Sequence, residues 1–186
     1  AKAVCGKLLQ ESAIRALVQN IASCDEVWVV SRGAGENLRS LGYEGDYIVM
    51  ENGVDVPRGR VSDEAIAAAT GRYDLPQNVP VFLFVGRLMW YKGIRIILDA
   101  LKTLCEKNVD FRMVFVGEGA DGAEIRSYAE ERKLSDRCFF TGAISDREII
   151  RAWYGRSDLF LFPSTFDTNG LVVREAAASG TATVMI

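Results

Sequence analysis

The sequence predicts an α/β chain built on a doubly wound, Rossmann-like parallel sheet, and three observations carry the prediction. Beyond about residue 80, strand-like and helix-like patterns alternate regularly, the signature of strands joined by helical crossovers. Each strand pattern is an uninterrupted apolar run, as where helices cover both sheet faces, rather than the polar alternation of a half-buried sheet. A cluster of turn residues at 51–60, Glu51-Asn-Gly-Val-Asp55 with Pro57 and Gly59, separates this region from a less regular start. The 186 residues, with 49% hydrophobic and 25% charged side chains, suffice for one domain and a piece of another. We therefore expect residues 1–56 to be the tail of one domain plus a linker, and residues 57–186 to be a second domain cut short at its end.

In chain order, a helix is expected over about 2–22, because Leu9, Ala13, Ala16, Leu17 and Ile21 recur at helical spacing. Exposed apolar side chains there, such as Leu8 and Leu9, would mark the face that meets the remainder of a severed domain, or one used in crystal or dimer packing. Glu26 to Val30 reads as a buried strand, Ser31 to Gly35 as a polar turn, Glu36 to Leu41 as a short helix and Tyr47 to Met50 as a second strand. In the second domain, strands are expected at Val81 to Val85, Arg112 to Val116, Cys138 to Thr141, Leu159 to Phe162 and Ala182 to Ile186, the last of them buried. Ile94, Ile97, Leu98, Leu101 and Cys105 share one helical face. Asp121-x-x-Glu124 and Ser145-x-x-Glu148 read as capping boxes of two further helices, and Asn169 as the cap of a last one ending at Gly180.

Composition excludes several kinds of chemistry. There is no histidine, so Ser-His-Asp and Cys-His dyads and His-based zinc sites cannot be built from this chain. The net charge of −3 argues against a nucleic-acid partner bound by broad counterion release. Cys5, Cys24, Cys105 and Cys138 are widely spaced without a C-x-x-C and read as reduced thiols of a cytoplasmic chain. No apolar run approaches the roughly 20 residues of a membrane helix. The start lacks an initiator Met and a signal-like segment, and the last residues fall inside a strand pattern, so an excised fragment is expected.

In a doubly wound sheet ligands bind beyond the carboxyl ends of the strands. After the first strand of the main domain come Gly86, Arg87 and then Lys92-Gly93 at a helix start, suited to a phosphate or diphosphate; alternatively the two cations are surface charges paired to acids. After the second stands Gly117-Glu-Gly-Ala-Asp-Gly122, a formal G-x-G-x-x-G. The next strand ends Thr141-Gly142-Ala143 without the acid a dinucleotide ribose needs, and Glu118 and Asp121 would repel a pyrophosphate, so a tight turn is preferred, with Gly119 lining the crevice. After the fourth strand, amides of Gly170, Leu171 and Val172 at a helix start would favour an anion, with Asp167 before them and Glu175 about 7.5 Å further along the helix. This row of acid, anion seat and acid matches the layout of a nucleotide sugar, unless Glu175 is a structural acid and Asp167 a turn residue.

Phe84-Val-Gly-Arg-Leu88 with Lys92-Gly93, Phe115-Val-Gly-Glu-Gly119, Phe162-Pro-Ser164, and Asp167 to Glu175 followed by Ala-Ala-Ala-Ser-Gly180 resemble the donor-binding half of group 1, family-4 retaining glycosyltransferases of GT-B fold. Asn52-Gly-Val-Asp55 is similar to that family's linker. The resemblance covers nearly all of residues 25–186. It implies that Arg87 and Lys92 hold the donor diphosphate, assisted by Gly86 and the amides of Gly170, Leu171 and Val172. It further implies that Glu175 holds the ribose hydroxyls, that the turn Gly142 to Ile144 contacts the base, and that Asp167 acts on the transferred sugar. The family usually has Glu at that position, so Asp167 is one methylene shorter.

The resemblance also implies transfer of a hexosyl unit to a hydroxyl acceptor with the departing phosphate taking the proton, no side-chain nucleophile, no cofactor besides the donor, and no metal; no Asp-x-Asp occurs. The glycan or lipid-linked acceptor would bind an amino-terminal domain of which 1–56 is the tail, so the fragment alone would be inactive. The full-length protein would work in the cytoplasm or at the inner face of a membrane. A sugar-nucleotide epimerase, a pyridoxal phosphorylase using Lys92, and a non-catalytic nucleotide-sugar-binding module are the alternatives.

Overall fold

The computed structural model describes residues 2–165, 167 and 170–186, with side chains from residue 10 onward. The chain forms two compact units, Ala1–Gly53 and Val54–Ile186. Asn169 and the side chains of Cys5, Leu8 and Leu9 lie outside the described set.

The first unit contains α1 (Lys2–Ala22), β1 (Trp28–Val29), α2 (Arg32–Ser40) and β2 (Ile48–Val49). β1 and β2 pair in parallel, with Trp28 opposite Ile48 and Val29 opposite Val49. The expected buried strand is shorter and more open: Val29 is buried, whereas Trp28 is 59% exposed. A two-stranded ladder has no central strand and covers little of either face. The expected polar turn at Ser31 to Gly35 is instead the first turn of α2, because the Ser31 hydroxyl accepts the Ala34 N–H at 3.1 Å and starts the helix earlier.

The second unit contains α3 (Asp63–Thr70), β3 (Val81–Val85), a 3₁₀ turn at Trp90–Lys92, α4 (Ile94–Glu106), β4 (Arg112–Val116), α5 (Gly122–Glu131), β5 (Cys138–Gly142), α6 (Arg147–Arg156), β6 (Leu159–Phe162), α7 (Leu171–Ala178) and β7 (Ala182–Met185). All five strands are parallel, in the order β5-β4-β3-β6-β7. Successive residues of a strand face opposite ways. Phe84, Met113 and Phe115 therefore join Ile94, Ile97, Leu98 and Leu101 of α4 and Ile125 of α5 on one face. Val81, Leu83, Val85, Val114 and Val116 join Trp153 and Tyr154 of α6 and Ala176 of α7 on the other. Burial on both faces is why the strands read as continuous apolar runs. α3, which has no counterpart among the expected elements, is capped by the Ser62 hydroxyl on the Ala65 N–H and buries Ile66.

Three details depart from the sequence expectations. β7 is not buried: Val184 and Met185 are 48% and 60% exposed, because β7 is the edge of the described sheet with a neighbour on one side only. α6 is capped by Asp146, not Ser145, its carboxylate accepting the N–H groups of Glu148 at 2.9 Å and Ile149 at 3.4 Å. Asp146→Ala is expected to cost about 1 kcal/mol of stability in urea unfolding, with Ser145→Ala near neutral. The division between units falls three residues before the expected 56/57 boundary. Arg147 donates to the Asp55 carbonyl at 3.0 Å, and the Gly59 N–H to the Ala178 carbonyl at 2.8 Å, tying these linker residues to the second unit. No described helix is long and apolar enough to cross a membrane.

Candidate functional site

β3 and β6 lie side by side, but the chain runs from β3 outward to β4 and β5 before returning to β6. The connections after β3 and β6 thus leave toward opposite faces and open a crevice at the carboxyl ends of the two strands, the topological switch point of the sheet. The loops around it are laced through their backbones. Gly86 donates to the Val116 carbonyl at 3.0 Å, Leu88 to Glu118 at 3.0 Å, and Gly117 to Gly142 at 2.9 Å. Gly119 packs so close to Leu88 that a Cβ there would run into the Leu88 backbone. The G-x-G-x-x-G match is therefore a packing device.

The acids of that loop work differently from expectation. Asp121 makes no side-chain cap to α5. Its carboxylate instead accepts the Trp90 backbone N–H at 2.8 Å, and Glu124 accepts the Trp90 indole N–H at 3.0 Å. A donor from another loop outcompetes the local amides, and the expected capping box becomes the anchor of the 3₁₀ turn that carries Lys92. The turn ends at Gly93, which has φ 76° and whose added Cβ would collide with the Pro163 carbonyl just beyond β6. Only glycine meets both conditions without strain, so β3 and β6 share a junction at the crevice.

Lys92 and Asp167 meet across this junction, Nζ to Oδ2 at 2.6 Å, with side chains only 15% and 23% exposed. The other Asp167 oxygen accepts the Gly170 N–H at 3.4 Å. Gly170, in the left-handed region at φ 54°, is the N-cap of α7. Its amide is thus engaged by Asp167 instead of being free as expected, leaving those of Leu171 and Val172 in the first turn, where a helix offers no internal partner. Arg87 is exposed and donates to the Tyr91 hydroxyl at 2.6 Å, with its guanidinium 5.8 Å from the ring centroid; Lys92 Nζ lies 5.5 Å from the same centroid. Tyr91 gathers the two cations, a role that the sequence signals only by an aromatic residue between them.

Glu175, in the second turn of α7, is half-buried, and its Oε2 accepts the Tyr154 hydroxyl at 3.2 Å; the same hydroxyl lies 3.1 Å from the Val172 carbonyl. Burial, and then the adjacent Glu175 carboxylate, push the Tyr154 phenol well above its usual range, so the tyrosine is the donor. Gly142 ends β5 with φ 80° and the Glu118 carboxylate beside it, and Ile144 packs against the buried cluster of Val85, Val116 and Tyr154. The thiol of Cys138, at the opposite end of β5, is pushed up to about 12 by burial, then by Cys105 and Asp136, and is inert as a nucleophile.

At the switch point of this α/β domain two cations, the Asp167 carboxylate and the start of α7 come together, with Glu175 one turn further along that helix. The chain belongs to the family of glycosyl transferases group 1, whose model matches residues 67–186. It is 33% identical over 134 residues to 2-deoxystreptamine glucosyltransferase of Streptomyces kanamyceticus, covering 72% of this chain and 34% of that protein. It is 32% identical over 177 residues to D-inositol 3-phosphate glycosyltransferase of Xylanimonas cellulosilytica, covering 89% of this chain and 41% of that protein. The chain thus spans well under half the length of these relatives. Sucrose-phosphate synthase from Thermosynechococcus elongatus superposes with a TM-score of 0.77 at 27% identity over 94% of this chain and 44% of that one. HepE of Anabaena, solved in complex with UDP and glucose, gives 0.78 at 24% identity over 94% and 48%. The fold is that of GT-B glycosyltransferases.

Proposed function

We propose that this chain is the donor-binding part of a retaining glycosyltransferase that moves a hexosyl unit from a nucleoside diphosphate sugar to a hydroxyl of a glycan or lipid-linked acceptor. The observation that carries the reading is the meeting of Lys92, Asp167 and the start of α7 across the β3–β6 crevice, with Arg87 gathered beside Lys92. Support comes from structural neighbours solved with UDP together with a sugar, namely HepE and the pneumococcal O-GlcNAc transferase GtfA.

In this reading Arg87, Lys92 and the Leu171 and Val172 amides receive the diphosphate, Glu175 the ribose hydroxyls, and Gly142 to Ile144 the base. Asp167 holds Lys92 in place on the side of the transferred sugar. As the bond from the anomeric carbon to the phosphate oxygen breaks, charge grows on that oxygen, where the two cations and the helix dipole stabilise it. The acceptor oxygen bonds to the same face of the carbon and its proton passes to the departing phosphate. Configuration is retained, and side-chain cations rather than a metal balance the charge. The acceptor is held by residues outside this chain, so the chain by itself binds donor and transfers nothing. The free thiols of Cys24, Cys105 and Cys138 accord with a cytoplasmic setting, on the inner face of the membrane where the acceptor is a lipid.

A thermal-shift panel of UDP, GDP and ADP sugars tests the reading. A ligand that binds only the native state at 100 times its Kd stabilises by about 2.7 kcal/mol, so one base should raise Tm in a concentration-dependent way. No shift with any base, at millimolar ligand, removes the proposal.

A further inference from the structure

We infer that Tyr154 is a positioning residue for the nucleotide: its hydroxyl locks the Glu175 carboxylate in the orientation that receives a ribose diol. This rests on the proposed donor site and adds a residue to it from α6, an element that contributes nothing else to the site. Tyr154 is 1% exposed and its ring packs edge-on to Phe160 of β6 at 5.6 Å between centroids. It has no freedom to follow a moving partner. Its backbone is fixed as well, since the buried Thr181 hydroxyl donates to the Tyr154 carbonyl at 2.7 Å. The hydroxyl therefore stands at a set point, 3.2 Å from Glu175 Oε2 and 3.1 Å from the Val172 carbonyl, and bridges the first and second turns of α7.

Glu175 alone on a helix would sample several rotamers, and a long acidic side chain loses considerable freedom when fixed. A carboxylate with one oxygen tied to a buried phenol keeps its other oxygen for a ligand. Hydroxyls that converge on that one oxygen are sensitive to its orientation, because hydrogen bonds weaken steeply with angle. The phenol stays protonated through the working pH range, so the contact does not switch off. The diphosphate seat, in contrast, is made by Arg87, Lys92 and the amides of Leu171 and Val172, and the Tyr154 hydroxyl meets Val172 at its carbonyl, not at its amide.

The test is Tyr154→Phe, which keeps the ring and its packing. Calorimetric affinities are measured for UDP, GDP and ADP, and for inorganic pyrophosphate, which lacks a ribose. The nucleotide that binds the parent protein should bind about tenfold more weakly to the variant, the size expected for one hydrogen bond to a charged group, while pyrophosphate affinity stays unchanged. In Glu175→Gln background the tyrosine change should have little further effect, since the two residues act as one unit. Unchanged nucleotide affinity in Tyr154→Phe overturns the inference, as does an equal loss for nucleotide and pyrophosphate, which would assign Tyr154 a purely structural role. If the variant loses its fold, the parent protein provides the second measurement: the ring 13Cζ NMR signal of Tyr154 should shift on nucleotide binding and stay in place with pyrophosphate, and a signal that nucleotide leaves unmoved overturns the inference. A parent protein that binds no nucleotide would instead sink the donor-site reading itself.

Discussion

Gly93→Ala should lower the stability of the second unit by about 2–5 kcal/mol, one of the largest effects of any single methyl group in the chain. Two penalties add. At φ 76° an L side chain costs roughly 1–2 kcal/mol, and the new Cβ would overlap the Pro163 carbonyl, an overpacking of the kind that costs about 1–3 kcal/mol. Relief requires the β3 and β6 junction to part, which draws Lys92 away from the start of α7 and so pulls the two sides of the proposed diphosphate seat apart. Urea unfolding should show a lower midpoint with an unchanged slope, and diphosphate affinity should fall even under conditions where the variant is fully folded. Gly53→Ala is the control, since a methyl group there meets nothing within 4 Å and the backbone is not left-handed. A Gly93→Ala protein as stable as the parent would show that the junction is not closed in solution.

The sheet was legible because its strands are buried on both faces, and the runs at 81–85, 112–116 and 159–162 have no other reading in a chain this apolar. The helix face of Ile94, Ile97, Leu98 and Leu101 was legible for the same reason, as all four meet the sheet. What sequence did not disclose was decided by competition between partners far apart in the chain. Asp121 and Glu124 carry a correct local pattern for a cap, yet Trp90, more than thirty residues earlier, claims both carboxylates. The cap of α6 moved by one residue because Ser145 and Asp146 both qualify, and the carboxylate is the stronger acceptor. Tyr91 and Tyr154 escaped notice since neither stands at a strand end by itself, and each matters only through the charged group it touches.

The candidate site shows the same division. Strand-end position brought Arg87, Lys92, Gly142, Asp167, Gly170 and Glu175 into view, and the order of strands explains why Lys92 and Asp167, 75 residues apart, can share an ion pair. That Asp167 would engage both Lys92 and the Gly170 amide was not readable, because the reach of a shortened acid depends on where the two loops sit. The two alternatives the sequence left for Lys92, a phosphate ligand or a cation paired to an acid, turn out to be compatible: the acid that pairs with it belongs to the same crevice.

Lys92→Ala carries the largest expected effect on catalysis. In the intact glycosyltransferase that the proposed function describes, removing one preorganised charge aimed at a departing phosphate should reduce kcat by about 10²- to 10³-fold. A smaller change in KM is expected, because Arg87 and the α7 amides still hold the ground-state diphosphate while the charge that grows in the transition state loses its nearest counterion. Asp167→Asn separates the two jobs of the ion pair. It removes the acid's negative charge next to the diphosphate seat but keeps a polar group of the same length for Lys92 and Gly170, so pyrophosphate affinity should rise while transfer falls. If Lys92 were a structural cation only, both variants would behave alike: lower Tm in proportion to the lost pair, kcat unaltered in the folded fraction, and no gain in pyrophosphate binding for Asp167→Asn. The opposite signs expected for affinity in the two variants, weaker in Lys92→Ala and tighter in Asp167→Asn, follow from the 2.6 Å contact once Lys92 is part of the proposed diphosphate seat, since one partner attracts the anion and the other competes with it for the same ammonium group.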